Sequence, residues 1–174
     1  SKPCKRALMR WRCYAASTRL EQPKMLTSDF KEFAELLNSN GVEYLVVGGY
    51  ALAAYGHPRY TGDLDFWVGT HPANARKLLS VLNQFGFGAL GIQESDFTVP
   101  NQVLQLGYPP GRIDLLTSID GVQFDACYAR RMSVSIDGIE LSFIAIDDFK
   151  ANKLAVGRHQ DLADLETLNR LQTK

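Results

Sequence analysis

Two aspartates separated by one residue, Asp63-Leu64-Asp65, sit at the head of an apolar run that continues Phe66-Trp67-Val68, and this placement constrains the chain more than any other feature. Successive side chains of a strand point to opposite faces, so Asp63 and Asp65 share one face while Leu64 and Phe66 enter the core. Unpaired carboxylates in a hydrophobic strand are costly. A pair on one face instead makes a site for a hard cation.

The surroundings of that pair add two further features. The run Tyr44-Leu45-Val46-Val47 ends in Gly48-Gly49, and thirteen residues then separate Gly49 from Asp63. Without a Cβ, backbone N–H groups at this position can approach a phosphate closely. A third carboxylate, Asp114, lies in the apolar stretch Arg112-Ile113-Asp114-Leu115-Leu116. Oxygen ligands for Mg²⁺ beside a phosphate cradle point to phosphoryl or nucleotidyl chemistry. An Asp-x-Asp by itself is weak evidence, because solvated turns produce it constantly; the hydrophobic setting gives this one its weight.

Periodicity organises the rest of the chain. Thr27-Ser28-Asp29 precedes Phe30, Phe33, Leu36 and Leu37, the pattern of a capped amphipathic helix ending near Asn40-Gly41. A buried strand is expected over 43–47, a short alanine-rich helix over 50–55, and a second strand over 64–68. Pro72 opens a strong helix that Gly86 terminates. Strands over 102–106 and 112–117 flank the turn Gly107-Tyr108-Pro109-Pro110-Gly111, and a short helix is expected over 124–130. Strands over 133–136 and 140–144 meet at Asp137-Gly138 in a primed-type turn, followed by helices over 146–156 and 162–171. The expected class is α/β (α+β), a mixed β-sheet flanked by helices.

The formal charge of zero conceals an asymmetry. Residues 1–24 carry seven basic residues against the single acid Glu21, a net +6, and residues 25–174 carry twelve bases and eighteen acids, a net −6. An acidic body has no global field that attracts nucleic acid, so RNA binding would need a local patch or the basic arm. Residues 1–24 are read as a basic extension, either functional or an upstream or expression-derived sequence, and 25–174 as one domain. Cys4, Cys13 and Cys127 are odd in number and lack zinc-ligand spacing, which fits a reducing cytoplasm. No run approaches the roughly 20 apolar residues of a membrane span.

The blocks Val47-Gly48-Gly49, Arg59-Tyr60-Thr61-Gly62-Asp63-Leu64-Asp65-Phe66 and Asn152-Lys153 through Gly157-Arg158-His159-Gln160-Asp161-Leu162-Ala163-Asp164-Leu165 together resemble the nucleotidyltransferase superfamily related to DNA polymerase beta. The closer likeness is to its small bacterial branch of AbiEii-type toxins and minimal nucleotidyltransferase antitoxins. The resemblance implies a nucleotidyltransferase-like fold, with Asp63, Asp65 and Asp114 as catalytic, metal-binding residues for Mg²⁺, two ions or in their place Mn²⁺. It implies nucleotide binding by Gly48, Gly49, Arg59, Thr61 and Lys153. Arg59 and Thr61 would brace the loop or the phosphates, or Arg59 would only neutralise the acids. Lys153 resembles the lysine that meets the triphosphate, or is an ordinary exposed helical lysine. Asp161 and Asp164 are helix-surface acids by default, or orient Lys153 or Arg158.

Trp67 shares the face of Asp63 and Asp65, so it either stacks on a base or packs at the strand end. His57, His71 and His159 have no companions at ligand spacing and read as surface or structural residues. Tyr108 and its diproline turn line the acceptor side or form a rigid tip. The resulting expectation is transfer of a nucleoside monophosphate from an NTP to an acceptor, which the resemblance leaves as tRNA, a partner toxin protein or a small molecule. The rival expectation is a weakly catalytic or non-catalytic antitoxin-like module that neutralises a partner.

Overall fold

In the computed structural model, which describes residues 26–172, the first described element is a helix whose boundary is set by one hydroxyl. Thr27 has an extended backbone, and its Oγ1 accepts a hydrogen bond from the Phe30 amide at 3.2 Å, capping α1 (Ser28–Ser39). Phe30, Phe33, Ala34 and Leu37 recur at helical spacing and are buried, so this helix covers one face of the sheet through them. The basic arm expected over 1–24 lies outside the described residues.

The sheet has six strands: β1 (Tyr44–Val47), β2 (Asp63–Val68), β3 (Val103–Leu106), β4 (Arg112–Leu116), β5 (Met132–Ile136) and β6 (Ile139–Phe143). Their spatial order is β3-β4-β2-β1-β6-β5. It is a mixed sheet. The pairs β2/β4 and β1/β6 are parallel, whereas β1/β2, β3/β4 and β5/β6 are antiparallel. Among the described residues the further α-helices are α2 (Gly48–Ala54), α3 (Pro72–Gln84), α4 (Phe124–Ala129), α5 (Ile146–Val156) and α6 (His159–Gln172), with short 3-10 turns at Gly88–Leu90 and Glu94–Phe97. The expected α/β (α+β) class, a mixed β-sheet flanked by helices, is therefore the observed one.

Burial explains the strand choice. All four residues of β1 are buried, as its central place in the sheet requires, and Leu64, Phe66 and Val68 of β2 are inaccessible to solvent. Trp67 is buried edge-on against Phe124, with ring centroids 5.2 Å apart, so it packs and is not presented for stacking. His71 is structural: it caps α3 by accepting from the Asn74 amide at 3.2 Å and sits 2.9 Å from Glu43. The fully buried Asn74 carboxamide then ties the start of β1 to the end of β2, receiving the Glu43 amide at 2.8 Å and donating to the Glu43 and Gly69 carbonyls.

Two boundaries differ from expectation in ways that matter for the site. α2 starts at Gly48, not at Tyr50, so the glycine pair is itself the first turn of the helix, directly off β1. α6 starts at His159, not at Leu162, which puts Asp161 in its first turn. Gly157 permits that early restart: at φ +65° it ends α5 in the left-handed region, and two residues later, at His159, the chain is helical again. Among the described residues, no helix is long and apolar enough to cross a membrane.

Candidate active site

Parallel pairing of β2 with β4 puts Asp63 opposite Arg112 and Asp65 opposite Asp114. These residues are spaced by two along each strand, so all four side chains fall on one face. The consequence is a convergence of acids: one carboxylate oxygen from each of Asp63, Asp65 and Asp114 lies within 4.8 Å of the others. Asp114 is the most enclosed, only 5% exposed.

The three acids are not equivalent. Thr61 donates its hydroxyl to Asp63 Oδ1 at 2.6 Å and to the Asp63 carbonyl at 3.2 Å. The Arg112 guanidinium donates to Asp63 Oδ2 at 2.6 Å and to both oxygens of Asp114 at 2.8 and 3.0 Å. Asp65 has no such relief. Desolvation, then the neighbouring Asp63 and Asp114, push its carboxyl up from 3.8 to about 7, against the smaller opposing pull of Arg112 and Lys153. No hydrogen-bond donor among the described residues meets it. A hydrated hard cation satisfies such a group, and three convergent carboxylate oxygens are the ligand chemistry that Mg²⁺ and Mn²⁺ take.

Gly48 and Gly49 border the acids for steric reasons. A Cβ on Gly48 would run into the Asp65 carboxylate, and its φ of +65° is itself left-handed. A Cβ on Gly49 would come within 2.9 Å of the Thr61 side chain. Val47, the residue before the helix, supplies no side-chain cap, so the first amides of α2 are not satisfied by the chain's own cap.

Lys153 corrects the surface-lysine alternative. It is 6% exposed, and its Nζ donates to Asp161 Oδ1 at 2.7 Å and pairs with Asp164 Oδ2 at 3.1 Å. Asp161 and Asp164 are likewise buried, against their default reading as surface acids. α6 packs on α5, and a helix face that meets another helix is no longer a solvent face. Arg59 does not neutralise the acid triad by contact; its Nη2 lies 3.4 Å from Asp164 Oδ2. The structure thus gathers Asp63, Asp65, Asp114, Gly48, Gly49 and Thr61 in one cluster, and ties Arg59 and Lys153 together through Asp164.

Sequence reasoning passed over Arg112. Its signal was present: it stands two residues before Asp114 on the same strand, and alternation puts both on one face. Only the strand order, however, brings Arg112 opposite Asp63.

No curated protein matches the chain. Among solved structures it is similar to the crystal structure of an antigenic nucleotidyltransferase-like protein from Paracoccidioides brasiliensis, at 20% sequence identity and a TM-score of 0.49, over 84% of this chain and 78% of that one. The family model described as "nucleotidyl transferase of unknown function" (DUF2204) matches residues 26–174, and with most of its length so matched the chain belongs to that family, within the nucleotidyltransferase superfamily.

Proposed function

We propose that residues 25–174 form a single-domain, Mg²⁺-dependent nucleotidyltransferase that moves a nucleoside monophosphate from an NTP to an acceptor and releases pyrophosphate. The observation that carries this reading is the convergence of one carboxylate oxygen each from Asp63, Asp65 and Asp114 within 4.8 Å, with Asp65 only partly compensated by Arg112 and Lys153 and lying beside the glycine-led start of α2. The three aspartates would hold the divalent ions, and these, when bound, supply charge neutralisation and lower the pKa of the attacking hydroxyl.

The remaining roles belong to the chain itself. Thr61 orients the Asp63 carboxylate through its 2.6 Å hydrogen bond. Gly48 and Gly49 leave room for phosphate at the first amides of α2. Asp114 completes the second cation position or takes the proton of the attacking hydroxyl. Arg112 balances Asp63 and Asp114 before ligands arrive, and a cation that uses those same oxygens must compete with its hydrogen bonds. Lys153 contributes a positive charge toward Asp65 from α5.

Transfer from labelled NTPs tests the proposal. Each NTP, labelled in turn at the α- or γ-phosphate, is incubated with the protein, Mg²⁺ and an extract of the source organism. Label entering a product from the α-position, lost in Asp114→Ala, supports nucleotidyl transfer. Label from the γ-position indicates a kinase and overturns it. The labelled product also separates tRNA, protein and small-molecule acceptors. Absence of transfer with every NTP, together with capture of a partner protein, would put the antitoxin-like binding module first.

A further inference from the structure

Asp164 is 2% exposed and serves two cations from distant parts of the chain. Its Oδ2 lies 3.1 Å from Lys153 Nζ on α5 and 3.4 Å from Arg59 Nη2, while Gln160 Nε2 donates to its Oδ1 at 3.3 Å. Lys153 already has a full partner in Asp161 at 2.7 Å, so neutralising the lysine does not account for a second buried carboxylate. The charge that balances Asp164 is Arg59. A buried ion pair is weak evidence for stability by itself, because desolvation offsets much of the attraction. What this pair does is determined by where Arg59 sits.

Arg59 belongs to the segment 57–62 between α2 and β2, and two residues on stands Thr61. The Thr61 hydroxyl orients Asp63 at 2.6 Å, and its side chain lies against Gly49 closely enough to leave no space for a Cβ there. A path therefore runs from α6 through the Asp164–Arg59 pair, along the backbone by way of Tyr60 to Thr61, and through the Thr61 hydroxyl to the first acid of the triad. We infer that Asp164 is a positioning residue: by holding Arg59 it fixes the segment 57–62, and with it Thr61 and the Asp63 carboxylate, in the arrangement that receives a divalent cation. This rests on reading the acid triad as a cation site.

Arg59→Gln in the full chain gives a test whose sign separates positioning from simple electrostatics. By charge alone, removing a cation can only leave divalent-cation binding unchanged or tighten it, whereas loosening the carboxylate should weaken it. Mn²⁺ binding without nucleotide, followed by electron paramagnetic resonance, should weaken by about tenfold or more, the usual cost of losing a partner that orients a ligand. Unchanged or tighter Mn²⁺ binding overturns the inference. The Arg59 side chain is 35% exposed, so the substitution leaves the core intact. In a second arm, Asp164→Asn should speed hydrogen exchange of the amides of 60–63 in the metal-free protein, far from the substitution in sequence. Unaltered protection there overturns the inference as well. If wild type binds no Mn²⁺, the cation reading of the triad fails, and the exchange result alone decides whether Asp164 holds this segment.

Discussion

Replacing Asp65 with asparagine should make the metal-free protein more stable, and the size of the gain follows from the site's charge balance. The Asp65 carboxyl titrates at about 7 in the folded protein against 3.8 for an unperturbed aspartate, chiefly because burial removes its hydration and Asp63 and Asp114 repel its charge. The folded state therefore binds this proton more tightly than the unfolded chain does. Stability is lost as pH rises from about 4, through the interval in which only the unfolded chain has released the proton, and levels off above about 7. At about 1.4 kcal/mol per pH unit, the loss has an upper limit of about 4 kcal/mol at pH 8 and less than half of that at pH 5. The attractions of Arg112 and Lys153 are already contained in the shifted value. An asparagine side chain has nearly the same shape as the aspartate and no charge. Urea unfolding in EDTA should therefore show Asp65→Asn more stable than wild type by about 2–4 kcal/mol at pH 8, with the advantage shrinking toward pH 5. Excess Mg²⁺ should raise wild-type stability and leave the variant unmoved. A variant no more stable than wild type at pH 8, or a difference independent of pH, would refute the reasoning.

Three further outcomes follow from the same geometry. Gly48→Ala forces a left-handed backbone and a side chain against Asp65, so urea unfolding should show a loss of about 1–2 kcal/mol from the backbone alone, together with weaker Mn²⁺ binding. Arg112→Gln removes the internal cation that a metal must compete with; Mn²⁺ affinity, read by calorimetry, should rise roughly tenfold, and a fall would assign Arg112 a supporting role in holding the ligands. Lys153→Met leaves Asp161 and Asp164 buried beside a neutral side chain, and should cost about 3–5 kcal/mol in chemical denaturation, where an exposed helical lysine would cost almost nothing.

Local pattern was enough for much of the architecture. Strand alternation at Asp63-Leu64-Asp65 put two carboxylates on one face, and the Thr27 cap and the Pro72 helix start announced their elements through side-chain and backbone chemistry that acts over a few residues. The primed-type turn at Asp137-Gly138 was legible for the same reason, and both residues have positive φ, 51° and 83°. Asp114 was legible as an isolated acid in an apolar strand. Its register opposite Asp65 was not, because strand order is a property of the assembled sheet and no local signal encodes it. The charge partners were decided by tertiary structure too. Arg112 meets Asp63 only through the β2/β4 pairing, and Asp161 and Asp164 become buried only because α6 folds back on α5. A charged side chain carries no sequence mark of its partner, since burial and proximity arise when distant segments pack, and those two quantities set what each charge costs and does.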